Sequence, residues 1–220
     1  MVAIITGDIV DSSDLKPEEL KLILNTLQEE FDSIEKASKT KTDFKIYRGD
    51  SFQGMIPQPE MALRNTLQIK SAINKIQFKS AEKKTGLKAD FRVAIGIGNL
   101  DLKRKNISES NGQAFQFSGR TLDEMKNDSR KTKLKCPDEN INSEFNASLF
   151  LLDFIMEKWS SASAEVIYYF LKGKKEREIA AEINISQSAV NQRKKAAGWD
   201  AVSVLLKRYE EVALKNFVNG

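Results

Sequence analysis

The sequence of 220 residues contains no histidine and only one cysteine, Cys136. A chain without histidine cannot form a Ser-His-Asp triad, a His-paired thiol nucleophile or the usual histidine-containing zinc and iron sites. Any catalysis must therefore rest on carboxylates, a metal ion, lysine or arginine. A lone cysteine excludes an intramolecular disulfide, which fits a protein of the reducing cytoplasm.

Long hydrophobic runs are also lacking. The apolar residues 2–5 follow no basic segment and are ended by Gly7 and Asp8, so they are too few for a secretory core or a membrane span and predict a buried strand. With 40% apolar and 30% charged residues, the composition is typical of a soluble globular protein. We therefore expect a cytoplasmic protein that does not enter a membrane. The net charge of +4 is too small to indicate a nucleic-acid partner by itself, so the placement of the basic residues matters more.

Hydrophobic patterning predicts two parts with a boundary near Trp159. Residues 1–158 alternate short strands with amphipathic helices, whereas residues 159–220 are helical throughout. In the first part the order strand, helix, strand-turn-strand, helix, strand matches the split βαβ or ferredoxin-like arrangement. We therefore predict an α+β domain with an antiparallel sheet and helices on one face, followed by a small all-α domain.

Several elements can be placed individually. Helices begin at Pro17 and at Pro59. The second helix has an apolar inner face, which Lys70 interrupts, and a polar outer face. The clearest strand covers residues 91–98, where one side is rich in glycine and leaves room for something to lie on it. The remaining predictions are two strands within 44–56 that bend at 48–50, a polar loop at 99–112, a helix at 113–125, a strand at 134–136 and an apolar helix at 144–159.

Two strand-associated segments carry acidic residues that stand out, Asp8 at the end of the first strand and Asp50 at the hairpin. Carboxylates at neighbouring strand ends can share a divalent cation, since Mg²⁺ takes one or two protein carboxylates and fills its other positions with water and phosphate oxygens. We therefore take Asp8 and Asp50 as candidate ligands of Mg²⁺ or Mn²⁺, which would repel each other without the metal. The alternative is that both are turn residues, because aspartate is common where a chain bends.

Four segments occur in an order that resembles the class III nucleotide cyclase domain. They are residues 5–13 (ITGDIVDSS), 49–52 (GDSF), 92–98 (RVAIGIG) and 112–120 (GQAFQFSGR). The whole chain, with its C-terminal helices, is also similar to the SatD family, a set of bacterial proteins in which a cyclase-like region is fused to a helix-turn-helix. The resemblance implies a cyclase-like α+β fold and a bound metal and nucleotide.

The resemblance also implies roles for individual residues. Asp8 and Asp50 correspond to the metal ligands, and Arg120 corresponds to the arginine that stabilises transition-state charge. The alternative for Arg120 is a helix-surface arginine paired with Asp123 or Glu124. The residues implied near the triphosphate are Ile9, Val10, Gly49 and Ser51.

Two positions depart from the cyclase pattern. Gln116 stands where cyclases carry a catalytic asparagine, and Ile46 stands where they carry the lysine that reads the purine, with Lys45 one residue away on the opposite face. Both departures count against turnover. They favour a degenerate, nucleotide-sensing domain over an active cyclase.

Residues 176–199 carry a more specific pattern, that of a helix-turn-helix. A short helix at 176–183 is followed by Asn184, which tolerates a left-handed turn, and Ser186 caps a second helix at 187–197 whose Val190 faces inward. The second helix contains no acidic residue, and its amides, hydroxyl and cations can read bases or neutralise phosphates. The candidate DNA-binding residues are Gln187, Ser188, Asn191, Gln192, Arg193, Lys194 and Lys195. The alternative is a small helical dimerisation domain whose charged residues form a solvated face.

The sequence therefore predicts a DNA-binding transcriptional regulator with a degenerate cyclase-like sensor domain. Its expected partners are double-stranded DNA and a nucleotide. We also expect a homodimer, because cyclase-like sites commonly lie at the junction of two subunits and helix-turn-helix proteins usually meet two half-sites. One alternative is a divalent-metal-dependent nucleotide cyclase or related phosphoryl-transfer enzyme. Another is a protein-interaction adaptor with neither a catalytic nor a DNA-binding site.

Overall fold

One mixed sheet forms the centre of the fold. The computed structural model describes residues 1–38, 40–47, 49–78, 88–100, 111–126 and 128–218. The strands within these residues are β1 (Val2–Ile9), β2 (Asp43–Tyr47), β3 (Ser51–Ile56), β4 (Phe91–Gly98) and β5 (Thr132–Lys135). They lie side by side in the order β2-β3-β1-β4-β5. Arg48 of the predicted bend and most of the predicted polar loop lie outside the described residues.

Helices connect and cover the strands. In the described part of the chain they are α1 (Pro17–Ala37), α2 (Ala62–Asn74), α3 (Gln113–Met125), α4 (Glu139–Glu157), α5 (Ser161–Leu171), α6 (Glu176–Glu182), α7 (Gln187–Ala196) and α8 (Trp199–Ala213). Short 3-10 turns at Ser12–Asp14 and Pro59–Met61 precede α1 and α2, and a π-helical turn at Leu214–Val218 follows α8. None of the described helices is long and apolar enough to cross a membrane.

Strand pairing confirms the ferredoxin-like order for the first four strands and corrects the prediction for the fifth. The β2–β3, β3–β1 and β1–β4 pairs are antiparallel, whereas β4 and β5 are parallel. The reason is that α3 returns the chain to the start of β4 before β5 begins, as a parallel pair requires. The prediction of a purely antiparallel sheet is therefore wrong.

The helices also occupy both faces of the sheet, not one. On one face, residues of β1 such as Ala3 and Ile5 pack with Leu27 of α1 and Leu67 of α2 in the main core. On the other face, α3 packs against the glycine side of β4, where a Cβ added at Gly96 would lie 2.2 Å from the carbonyl oxygen of Ala114. Glycine is thus needed here for close approach of a helix, which explains the room that the sequence pattern indicated.

Helix α2 is buried on every side, in contrast to the polar outer face that its sequence predicts. All of its residues except Arg64 are buried, because α5 packs against the side that faces away from the sheet. Lys70, predicted as a break, is 1% exposed, and its Nζ lies 3.1 Å from Oδ1 of Asp90. Burial alone would raise the pKa of Asp90, but Lys70 and Lys131 hold this pKa well below its ordinary value, so the carboxylate stays ionised.

The C-terminal helices share the hydrophobic core of the sheet. Leu206 and Phe217 belong to the same buried cluster as the strands, and the Tyr209 hydroxyl donates to the Pro59 carbonyl oxygen over 2.8 Å. At the α1–α5 contact, the hydroxyl of Tyr168 donates to Oε1 of the buried Glu30 over 2.6 Å. The predicted boundary near residue 158 therefore falls between α4 and α5 within one continuous core.

Helices α6 and α7 have the local features that the sequence predicts. Asn184 between them is left-handed, with φ of 51°. The Ser186 hydroxyl oxygen accepts from the amide of Ala189 over 3.1 Å, which caps α7. Val190 of α7 and Ile179 of α6 are buried together against α5. These local features are confirmed.

Tyr168→Phe tests the contact that joins α5 to α1. Removal of the hydroxyl leaves one carboxylate oxygen of buried Glu30 without its donor, so we expect the free energy of unfolding to fall by about 1–3 kcal/mol. Urea denaturation measures this change. The matched control is Tyr169→Phe, whose hydroxyl has no hydrogen-bond partner among the described residues, and a loss of equal size in both variants would contradict the account.

Candidate functional site

Asp8 and Arg92 form an ion pair at the end of the two central strands. The residues are direct partners in the β1–β4 register. Arg92 Nε lies 3.0 Å from Oδ1 of Asp8 and Nη2 lies 3.0 Å from Oδ2, and the side chains are 26% and 13% exposed. Both oxygens of Asp8 are thus satisfied in the absence of a ligand. Such bidentate, partly buried pairs are among the stronger polar contacts in proteins.

Asp50 lies at the same end of the sheet, in the turn directly before the neighbouring strand β3. Its neighbour Ser51 pairs with Asp8 in the β1–β3 register, and its carbonyl oxygen accepts from the amide of Ile9 over 2.8 Å. The carboxylate accepts from the hydroxyls of Ser12 and Ser51, each over 3.1 Å. The structure therefore brings Asp8 and Asp50 to one edge. It also gives each carboxylate its own partners, so the repulsion that the sequence suggested is relieved without a metal.

The loop after β1 supplies unengaged backbone donors. The amides of Ile9 and Val10, implied near a triphosphate, donate to the carbonyl oxygens of Asp50 and Asp90 and are not free for a ligand. Within the described residues, the next three amides, at positions 11–13, have no acceptor. The first of these residues, Asp11, is left-handed with φ of 51°. Consecutive amides around such a residue form a concavity that suits an anion.

The donor set fits a hard cation that arrives together with phosphate. Two carboxylates and the hydroxyls of Ser12 and Ser51 provide oxygen atoms, which Mg²⁺ and Mn²⁺ prefer. No group of three or more metal-ligating side chains occurs in the part of the chain that the structure describes. Because Mg²⁺ completes its shell with phosphate and water, two carboxylates suffice only for a metal bound to such a ligand.

Gln116 and Arg120 lie apart from the two carboxylates. Both are exposed on the side of α3 that faces away from the sheet. Among the described residues, neither has a hydrogen bond or ion pair to Asp8 or Asp50, and Arg120 has no ion-pair partner. The pairing of Arg120 with Asp123 is not formed, because Asp123 binds Lys126 over 2.7 Å. A single chain therefore does not bring the implied catalytic residues to the candidate site.

Sequence reasoning missed Arg92 as a site residue. In the alternating pattern of β4, Arg92 shares one face with the small residues Ala94 and Gly96. A charged side chain on that face needs a partner on a neighbouring strand, and this could have indicated its role. The structure also shows which faces of β2 carry Ile46 and Lys45. Ile46 packs against the main core, whereas Lys45 is registered with Gln53 and lies on the face of the sheet that carries Asp8.

Helix α7 exposes only part of its predicted DNA-binding set. Arg193 lies 3.5 Å from Glu165, and Lys194 lies within 3.5 Å of Glu176 and Asp200. Among the described residues, Lys195 is the one cation of α7 without an ion-pair partner. Gln187, Ser188, Gln192 and Lys195 are exposed, and Asn191 is half-buried.

A family model described as "SatD family" matches residues 1–213. The chain belongs to the SatD family. No curated protein matches the sequence.

Solved structures of nucleotide cyclases show partial similarity to this SatD-family chain. The guanylyl cyclase domain of the RhoGC fusion protein from Blastocladiella emersonii is 20% identical, with 56% of this chain and 72% of that chain covered and a TM-score of 0.40. The GGEEF domain of a diguanylate cyclase from Vibrio cholerae is 14% identical, with 62% and 83% covered and a TM-score of 0.42. Adenylate cyclases from Trypanosoma brucei are 13% identical, with 55% and 68% covered and a TM-score of 0.41.

Asp8→Asn tests the charge balance of the SatD-family chain without metal. The substitution removes one partner of the bidentate pair with Arg92, so we expect the free energy of unfolding in EDTA to fall by about 1–2 kcal/mol. The control is Asp123→Asn, whose pair with Lys126 is exposed and should leave the urea midpoint unchanged. A more stable Asp8→Asn variant would show instead that repulsion between Asp8 and Asp50 dominates.

Proposed function

We propose that this protein is a divalent-metal-dependent nucleotide-binding protein whose site lies at the end of β1 and the start of β3. One observation carries the proposal: Asp8, Asp50 and Arg92 meet at this edge, beside three unengaged amides at positions 11–13. Carboxylates suit the cation, while a guanidinium and backbone amides suit phosphate oxygens. A metal–nucleoside triphosphate complex offers both partners at once.

Each group of the site has a distinct part in this binding. Asp8 and Asp50 hold Mg²⁺ or Mn²⁺, which when bound supplies positive charge that offsets the charge of the phosphates. Arg92 exchanges the carboxylate of Asp8 for a phosphate oxygen, a partner to which its planar fork is equally suited. The amides of residues 11–13 donate to a second phosphate oxygen. Lys45, on the same face of the sheet, takes the place of Ile46 as the residue proposed for contact with the base.

Chemistry on the bound nucleotide requires a second copy of the chain. Gln116 and Arg120 are exposed on α3 and contact neither carboxylate of their own chain, so they act only where a partner subunit presents its α3 to the site. A homodimer is therefore part of the proposal. In such a dimer Arg120 would stabilise charge on the transferring phosphoryl group, which is the phosphoryl-transfer alternative derived from the sequence.

Thermal unfolding with Mn²⁺ and ATP or GTP tests the binding site. We expect the melting temperature to rise when metal and nucleotide are both present, by an amount that corresponds to about 2.7 kcal/mol at a ligand concentration of one hundred times Kd. Asp50→Asn and Arg92→Met should abolish the rise, whereas Arg120→Ala should keep it. Asp14→Asn, an exposed acid in the adjoining 3-10 turn, is the matched control. An equal rise in Asp50→Asn and the unchanged chain would refute the site.

A second function, binding of duplex DNA by α7, is favoured by one specific observation. Helix α7 has a capped N-terminus, no acidic residue and an exposed row formed by Ser188, Gln192 and Lys195, and it is supported by α6 through the left-handed Asn184. A helix of this kind can enter the major groove while its amides meet base edges. With both sites in use, the chain would be a nucleotide-responsive transcriptional regulator, which is the main prediction from the sequence.

Duplex binding is tested by the salt dependence of affinity. Lys195→Gln should weaken binding to all sequences and reduce the slope of log K against log salt by about 1, because one phosphate contact is lost. Gln192→Ala should cost about 1–3 kcal/mol, mainly at one base pair. Lys207→Gln, on exposed α8, is the control. A chain that binds no duplex at low salt removes this second function and leaves the nucleotide site untouched.

A further inference from the structure

A cavity of about 380 Å³ lies between α1, α2 and the C-terminal end of α5. Its walls are apolar at Ile34, Met61 and Leu171 and polar at Arg64, Asn65 and Lys172. We propose that this cavity binds a small organic anion, with an apolar body and one carboxylate or phosphate group. The bound anion would link α5 to α1 and α2.

The cavity is separate from the nucleotide site. Ile56, which also lines it, is the last residue of β3 and packs near Ala3, its register partner at the start of β1. Asp8 lies at the opposite end of β1. A ligand in the cavity and a ligand at the carboxylates therefore occupy opposite ends of the same strand.

Asn65 provides the observation that points to a ligand. Its side chain is only 8% exposed and lines the cavity, yet it has no hydrogen-bond partner among the described residues. Other buried asparagines of the chain are satisfied: Asn74 donates to the Ala89 carbonyl oxygen, and Asn142 donates to that of Cys136. The amide of Asn65 therefore borders the open space of the cavity, and a polar group that enters the cavity can hydrogen-bond with it in place of water.

The charges at the rim select an anion. Nη1 of Arg64 has a single long contact of 3.4 Å to the Leu171 carbonyl oxygen, and Lys172 donates to the hydroxyls of Ser33 and Tyr168. Neither cation has a carboxylate partner in the described chain, and no acidic residue is among those that line the cavity. A guanidinium with free donors suits a carboxylate or a phosphate, while the apolar walls require an apolar body.

The position of the two cations links the cavity to the C-terminal helices. Arg64 belongs to α2, whereas Lys172 directly follows α5, the helix that leads into α6 and α7. An anion held by both side chains adds a contact between these elements. Occupancy should therefore stabilise the placement of α5, which couples the cavity to the helix pair beyond it.

Calorimetric titration of the full chain with defined anions tests the proposal. Phenyl phosphate is the probe with a phosphate group, and 3-phenylpropanoate is the probe with a carboxylate. Benzyl alcohol has only the apolar part, and inorganic phosphate has only the charged part. EDTA in the buffer removes divalent metal, so that binding at the metal-dependent site does not contribute to the measured heat. We expect one or both organic anions to bind at least about ten-fold more tightly than either partial probe, a difference of about 1.4 kcal/mol.

Two substitutions separate the cavity from other binding. Arg64→Gln and Asn65→Leu should each weaken binding of the tighter anion at least about ten-fold. Asn65→Leu should also keep the melting temperature, because the amide makes no hydrogen bond in the described chain and leucine is of similar size. Lys21→Gln, on the exposed side of α1, is the charge-matched control and should bind as the unchanged chain does. No binding of any probe at millimolar concentration, or equal affinity in all variants, overturns the proposal.

Discussion

The ion pair between Asp8 and Arg92 joins the two central strands at the edge where the candidate site lies. Because Arg92 donates to both oxygens of Asp8, a metal alone competes with the guanidinium for this carboxylate. A metal that arrives with a phosphate avoids this competition, since the phosphate can accept the hydrogen bonds of the Arg92 guanidinium in place of Asp8. Under the proposed function, the pair would make metal and nucleotide binding depend on each other, which is a coupling between ligands within one site.

A second constraint is that the C-terminal helices do not stand apart from the sheet. Helix α2 lies between the sheet and α5, and the buried Glu30 accepts hydrogen bonds from Gln68 of α2 and Tyr168 of α5. This contact joins the helices around the α1–α2–α5 cavity, and α5 also packs against α7, so the proposed nucleotide site, the cavity and α7 belong to one packed unit. The proposals for these three places remain independent, because each rests on different residues and fails by a different measurement.

Local rules predicted a large part of this fold. The strict alternation of apolar residues predicted β4, and the predicted bounds of α3, Gln113 and Met125, are correct. The turn at Asn184 and the cap at Ser186 were predicted from residue type alone. What failed was non-local. Lys70 was taken as a break because its partner Asp90 lies 20 residues further along the chain, and the direction of β5 depends on the path of α3 across the sheet.

The same limit applies to the candidate site. Asp8 and Asp50 could be predicted because aspartates at strand ends are visible in one segment each, whereas the role of Arg92 appears only when the β1–β4 register is known. The unpartnered amide of Asn65 cannot be recognised in the sequence either, because its lack of a partner depends on how three helices pack together. Residue type and spacing therefore indicated which chemistry was present, and only the packing determined which groups were free to use it.

The most direct test of the central claim is the Nε–H resonance of Arg92 in the ¹⁵N-labelled chain. It is followed during titration with Mg²⁺ alone, with a non-hydrolysable nucleoside triphosphate analogue in EDTA, and with both together. We expect a large change in the chemical shift only when both are present, because Arg92 would then leave Asp8 for a phosphate oxygen. A resonance that stays unchanged under all three conditions would contradict it.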